Sequence, residues 1–482
     1  MIKRVSLGVL ILVALVVPAF ARGTHQPRFE NWDRNIQYMD GNRSVLFASR
    51  GTLALSDDDR SIVSMAPGSR LYIRQTDRFT TIELLAEAAD DGGYQQTVWV
   101  NGVEQDGRPG EQALVETMIW LAAVEFGVGA RARMARRYSE EGLDAAIEVI
   151  RRVRIDDVRA ELLAVLGRDY RLDVDEAVTL VRATTMIRAS GELSGLLRTL
   201  SEHLAGGDNV TTELMRAASS IAASGDTRDA VIAIAAERGL ERASGIEMAR
   251  TIAGIAASSD KRDALLALAP AVAGDQDLAE AYLFAAQTVA ASSDLRDALI
   301  ALCEGLLPRS SYERFFSVAT SVAASSDLRD VLEHAAGLLE LEEYGSDLYL
   351  DACVTVAAGS DRLTAIRALN RIVIPENMAE RLFHVIDTIP ASSDARDALL
   401  DTLNHQEFTP ESLVFCAYSA GRLASSYDQG ESLRALLSYV VAHGGAYVAH
   451  EGLRAAIDDA VDSIAARSDR ERCRRAFDEA YR

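Results

Sequence analysis

The phrase Ala-Ala-Ser-Ser-Asp followed by x-Arg-Asp recurs at a nearly constant spacing, and no other feature restricts the fold as much. Its clearest copies run from Ile255 to Leu265, from Val289 to Leu299 and from Val322 to Leu332. The acid of this phrase, or its counterpart, falls at Asp157, Glu192, Asp226, Asp260, Asp294, Asp327, Asp361, Asp394, Asp428 and Asp469, about 34 residues apart except for a longer final step. That period suits a helical hairpin, which leaves an apolar stripe it cannot bury alone and must stack on copies of itself.

Within each unit the phrase is expected between two helices. Five residues before the acid stands an aliphatic residue in nine units (Ile187, Ile221, Ile255, Val289, Val322, Val356, Ile389, Leu423 and Ile464), as the last buried turn of a first helix requires. Only Arg152 departs. Ser-Ser-Asp can accept hydrogen bonds from the free amides that open a second helix, so Asp226, Asp260, Asp294, Asp327, Asp361 and Asp394 are expected as structural caps, with Asp263 completing an acidic capping box. Leu265 and Leu268, or Leu299 and Leu302, then fall at helical spacing. Pro375 and Pro410 are expected where first helices start, Pro270 and Pro308 after second helices. The period matches tetratricopeptide repeats, whose Trp, Gly-Tyr and late Pro positions are missing; a HEAT-like array fits better.

Upstream the pattern changes to short alternating runs. Ser44–Ser49, Gly51–Ser56, Ser61–Met65, Arg70–Arg74, Thr80–Leu85 and Gln96–Val100 read as strands, separated by turn signals of which Asn101-Gly102 is the strongest. Glu111–Phe126 reads as a helix, and Gly127-Val128-Gly129 as a joint. The fold expected is mainly α: an α-solenoid of about ten helical-hairpin repeats over residues 130–482, preceded by a small antiparallel β domain over 22–107 and a connecting helix and joint over 108–129.

The first 21 residues have a basic start (Lys3, Arg4), an apolar stretch from Val5 to Phe20 and the small-x-small end Ala19-Phe20-Ala21, the pattern of a secretory signal cleaved after Ala21. The apolar stretch, interrupted by Pro18, is short for a membrane span of roughly 20 residues. A periplasmic or secreted protein without stable membrane insertion is expected. The formal charge is -22, and losing Lys3 and Arg4 makes the mature chain more negative, which disfavours nucleic acid and anionic lipid as partners. Cys303, Cys353, Cys416 and Cys473 are too widely spaced for a zinc site or a disulfide framework and fall at apolar helical positions.

The recurrent arginines Arg228, Arg262, Arg296, Arg329 and Arg396 form, with their aspartates, a charge ladder along one edge. Two readings apply: an interaction strip, or arginines bridging to acids of the adjacent unit beside aspartates that favour a helix start. Stacked carboxylates could also hold calcium, although no twelve-residue calcium loop occurs. The ladder is interrupted where Asp361 is followed by Arg-Leu-Thr and where Asp428 sits in Ser-Ser-Tyr-Asp-Gln-Gly. Seven scattered histidines provide no His-Glu-x-x-His, no Gly-x-Ser-x-Gly elbow is present, and no phosphate-cradling glycine loop is found, so no catalytic, metal or cofactor residue is assigned.

Gly68-Ser-Arg-Leu-Tyr-Ile-Arg74, Val98-Trp-Val-Asn-Gly102, Trp120-Leu121 and Gly127-Val-Gly-Ala-Arg-Ala-Arg133, followed by the Ser-Asp repeats, resemble a family of bacterial extracytoplasmic regions. These occur as stand-alone secreted proteins and as C-terminal parts of antirepressor-type membrane metallopeptidases. The peptidase motif and membrane helices of the latter are absent from this sequence, so the resemblance implies a sensor or docking module and not a peptidase. Together these features lead to an expected non-catalytic scaffold that binds protein or peptide on a repeat face. An envelope-polymer hydrolase with a site assembled from distant residues, and a stress-sensing partner of a membrane peptidase, are the competing expectations.

Overall fold

The computed structural model describes residues 32–56, 58–304, 307–338, 343–372 and 374–482, so the expected signal segment lies outside the described residues. By its internal contacts the chain divides into two compact units, one ending at Leu163 and one beginning at Ala164.

The first unit contains β1 (Arg34–Asp40), β2 (Arg43–Arg50), β3 (Leu53–Leu55), β4 (Ile62–Met65), β5 (Arg70–Thr76), β6 (Thr81–Ala88), β7 (Tyr94–Val100) and β8 (Val103–Glu104). Six of these form an antiparallel sheet in the order β1-β2-β5-β6-β7-β8, while β3 and β4 pair separately. The register sets Phe47 beside Ile73 and Ile73 beside Leu84, so one face is apolar. The helix α1 (Glu111–Phe126) buries Met118, Ile119, Ala122 and Phe126 in the same core, with Phe126 stacked on Phe47 at 4.3 Å between ring centroids. Asn101 takes a positive φ of 48° in the β7–β8 turn, as its Asn-Gly signal demands. Strand β1 is not among the expected strands. It is an edge strand whose Asn35 and Gln37 weaken the apolar alternation, and pairing with β2 makes it extended.

Helices α2 (Ala130–Glu141), α3 (Leu143–Arg152) and α4 (Asp156–Asp169) follow. Gly127 is required at the joint: its φ is +73°, and a Cβ there would stand 2.6 Å from Val158 Cγ1. In the first repeat α3 ends on Arg152 and the buried Val153 follows it, so Val153 supplies the aliphatic position that Arg152 lacked. The register of that unit is one residue later than the Asp157 alignment.

Hairpins continue as α5 (Val174–Ala183) with α6 (Ser190–His203), α7 (Asp208–Ala218) with α8 (Ser224–Arg238), and α9 (Arg242–Gly254) with α10 (Ser258–Val272). Next come α11 (Gln276–Ala286) with α12 (Ser292–Glu304), α13 (Tyr312–Ala319) with α14 (Ser325–Leu338), and α15 (Glu343–Thr355) with α16 (Gly359–Leu369). The last are α17 (Ala379–Asp387) with α18 (Ser392–His405), α19 (Pro410–Arg422) with α20 (Ser426–His443), the short α21 (Gly445–Ala449), and α22 (Glu451–Ser463) with α23 (Arg467–Ala480). The insertion of α21 explains the long final spacing. From α5 onward each first helix packs on the first helix of the next pair and each second helix on the next second helix, the two-layer stacking of an α-solenoid. The aliphatic residues before the acids lie just past the first helices and are buried, as Ile255, Val289, Val322 and Val356 illustrate. Pro270, expected after its helix, is instead inside the last turn of α10. Its missing N–H costs one hydrogen bond near an end that is already short of partners.

Candidate functional site

The six aspartates expected as caps do not cap. In α8, α10, α16 and α18 the capping position is Ala223, Ala257, Ala358 and Ala391, without a side-chain cap bond, and Asp226, Asp260, Asp361 and Asp394 are the third helical residues. Asp294 and Asp327 likewise lie in the first turns of α12 and α14. Each helix begins two residues before its acid, so the carboxylate has passed the capping geometry while still lying at the positive helix end.

The free amides are instead met from the neighbouring repeat. Ala256 and Ala257 donate their N–H groups to Ser224 Oγ at 3.3 and 3.4 Å, and Ala290 and Ala291 to Ser258 Oγ at 3.3 Å each. Ala324 donates to Ser292 Oγ and Ala358 to Ser325 Oγ, both at 3.0 Å. The first serine of each phrase thus caps the following repeat, which a reading of one unit in isolation assigns to its own helix.

The arginines make the second link. Arg228 Nη1 donates to Asp260 at 2.6 Å, Arg262 to Asp294 at 3.0 Å, Arg296 to Asp327 at 2.8 Å, Arg329 to Asp361 at 2.9 Å and Arg396 to Asp428 at 2.6 Å. The other edge of each guanidinium grips the next residue, Asp229, Asp263, Asp297, Asp330 or Asp397, so Asp263 belongs to this fork and not to a capping box. These arginine side chains are 21–31% exposed and their donors point into the repeat interfaces.

The residue between Asp and Arg has a role the sequence did not disclose. It is Leu295, Leu328 or Ala395 in units where it is buried among apolar neighbours, but Lys261 in one unit and Arg362 in another. Lys261 Nζ donates to the Thr288 carbonyl at 2.9 Å and hydroxyl at 2.8 Å; Arg362 Nη1 donates to the Thr388 carbonyl at 2.6 Å and hydroxyl at 2.7 Å. Both cations therefore satisfy orphan acceptors just past the end of the next first helix.

A further row runs along the first helices. Arg182 pairs with Glu213 at 2.8 Å, and Arg216 with Glu213 at 2.6 Å and Glu247 at 3.5 Å. Burial pushes the Glu213 carboxyl up, and the two arginines outweigh it and hold it below the usual range. The signal was present in the sequence: Arg182, Arg216 and Arg250 each stand ten residues before the key acid. At the same position later units place Phe284, His384 and Tyr418. Phe284 and Tyr418 are 56% and 48% exposed, and Tyr344 on α15 is 58% exposed. Between α15 and α17 a groove of about 750 Å³ is lined by Tyr344, Asp347, Met378, Glu380, Arg381 and His384. Arg381 bridges it, pairing with Asp347 at 3.0 Å and with Asp351.

All four cysteines are buried free thiols, and burial raises their pKa, so none has the character of a nucleophile. His450 accepts from the Leu453 amide at the start of α22. Among the described residues no group of three or more His, Cys, Asp or Glu side chains is arranged to hold a metal, and no single helix is long and apolar enough to cross a membrane. No protein-family model matches the chain, and no curated protein matches it.

Proposed function

We propose that this protein is a non-catalytic extracytoplasmic scaffold or sensor module that binds protein or peptide on the exposed face of its first helices. The observation that carries this reading is an asymmetry between the layers. On the second helices the recurrent charged groups are turned into repeat interfaces, whereas the first helices present Phe284, Tyr344 and Tyr418 and the groove between α15 and α17. Exposed aromatics on a rigid repeat surface are the residue types that anchor protein interfaces. The resemblance to extracytoplasmic docking modules supports the same reading.

The test uses the whole mature chain. Immobilised protein is presented with envelope extract from the native cell, and retained protein is compared between the parent, a Phe284→Ser, Tyr344→Ser, Tyr418→Ser variant and an Arg262→Gln variant. Retention should be lost in the first variant and kept in the second. Equal retention by all three, or turnover of an envelope polymer by the purified protein, would overturn the proposal.

A further inference from the structure

Charge is unevenly distributed along this acidic chain. Between Ala130 and Arg159 eight arginines stand against six acids, although the whole chain has a formal charge of -22. In the first unit, α2 and α3 bring four of them, Arg133, Arg136, Arg137 and Arg152, to one pocket of about 330 Å³, whose remaining walls are Val124, Ala145, Val149, Asp59 and Glu148.

The floor is rigid. Arg133, 12% exposed, donates through Nη1 to Asp59 and to the Val128 carbonyl at 2.8 Å each, and through Nη2 to the Ala123 carbonyl at 2.7 Å. Those carbonyls close the end of α1, so Arg133 is oriented by a helix terminus and a part-buried carboxylate together. Arg137 and Arg152 stand at the rim from two antiparallel helices, 43% and 66% exposed. Arg137 pairs with Glu141; Arg152 approaches Glu148 at 3.6 Å, a carboxylate also held by Arg151 at 2.8 Å. Four guanidinium groups thus face two lining carboxylates, and the pocket retains an excess of two positive charges.

We propose that this pocket binds the phosphate group of a small phosphate monoester. A monoester near charge -2 with three acceptor oxygens matches both the excess charge and guanidinium forks arriving from two helices, where a carboxylate offers two oxygens and one charge. The volume is at the lower end of the roughly 300–1,000 Å³ of small-molecule pockets, and Val124, Ala145 and Val149 provide an apolar wall for the carbon skeleton. The site is independent of the first-helix face proposed above.

Calorimetric titration of the full mature chain with glycerol phosphate at low ionic strength should give one saturable site, weakened by added salt. Arg137→Gln with Arg152→Gln should weaken it at least tenfold while the thermal midpoint and envelope-protein retention stay those of the parent; Arg262→Gln should leave it unchanged. If the double variant unfolds, Arg152→Gln alone is read against the same criteria. Absence of saturable binding, full affinity in the arginine variants, or equal affinity for succinate would overturn the assignment.

Discussion

From α8 to α16 four successive repeat interfaces are tied in one way, by a serine hydroxyl on the next repeat's amides and an arginine on the next repeat's aspartate; the interface between α16 and α18 has neither. Gly359 replaces the serine and Leu363 the arginine, and among the described residues Asp394 receives no arginine. Cohesion there has moved to buried groups. Arg362, 6% exposed, donates to carbonyls of Val354, Val356 and Thr388. At the opposite end Asn370 donates to Asp401 and Thr402, while Gln406 clamps the Asn370 and Ile372 carbonyls and accepts from the Ile374 amide. In an array stabilised by nearest neighbours, one interface can exchange an exposed ionic link for a buried polar one without changing the fold.

The largest expected effect comes from the buried replacement. Arg362→Met strands several carbonyls and should destabilise the protein by about 2–4 kcal/mol in urea unfolding. A loss below about 0.5 kcal/mol would mean that apolar packing alone holds the α16–α18 interface. Transplanting the interruption sharpens the contrast: Ser292→Gly with Arg296→Leu should cost about 2 kcal/mol and expose the Ala324 amide to hydrogen exchange. Unchanged protection at Ala324 would refute the cross-repeat cap.

A smaller effect separates two equivalent aspartates. Asp294→Ala removes the partner of Arg262 and should cost about 1 kcal/mol, declining in high salt, whereas Asp394→Ala should cost about half as much, through the helix dipole alone. Equal costs would show that the arginine link contributes nothing. The smallest concerns Glu376, which accepts from Thr409 Oγ1 at 2.6 Å and from Ser412. Burial raises its pKa, but the hydrogen bonds from Ser412 and Thr409 outweigh burial and hold it below 4.5. A depressed carboxylate contributes stability above its unfolded pKa and loses it as pH falls through the folded value. Glu376→Gln should therefore flatten the decline of the thermal midpoint below about pH 4.5, by no more than about 0.5 kcal/mol. An unaltered pH profile would remove Glu376 from the acid response.

The legibility of these features follows their range along the chain. Hairpin number, helix order and the partnership of Arg262 with the next aspartate could be inferred from a period alone, because a translational repeat brings matching positions of adjacent units together. The Asn101-Gly102 hairpin and the α1 boundaries were equally local. The capping assignment failed because Ser-Ser-Asp satisfies a local rule, while the hydroxyl that does the capping belongs to the preceding repeat. The row of Arg182, Arg216 and Arg250 was overlooked because it lies in the less regular first helices.

By itself the sequence determined that this chain is a stack of helical hairpins behind a small antiparallel sheet, since periodic apolar positions and turn residues act within a few residues of themselves. The tertiary structure alone decided where each helix begins relative to its aspartate, which way Lys261 and Arg362 turn, and that Arg133, Arg137 and Arg152 converge on one pocket. Those outcomes depend on whether a neighbouring element leaves an amide or carbonyl unpaired, and that is set only once the elements are packed together.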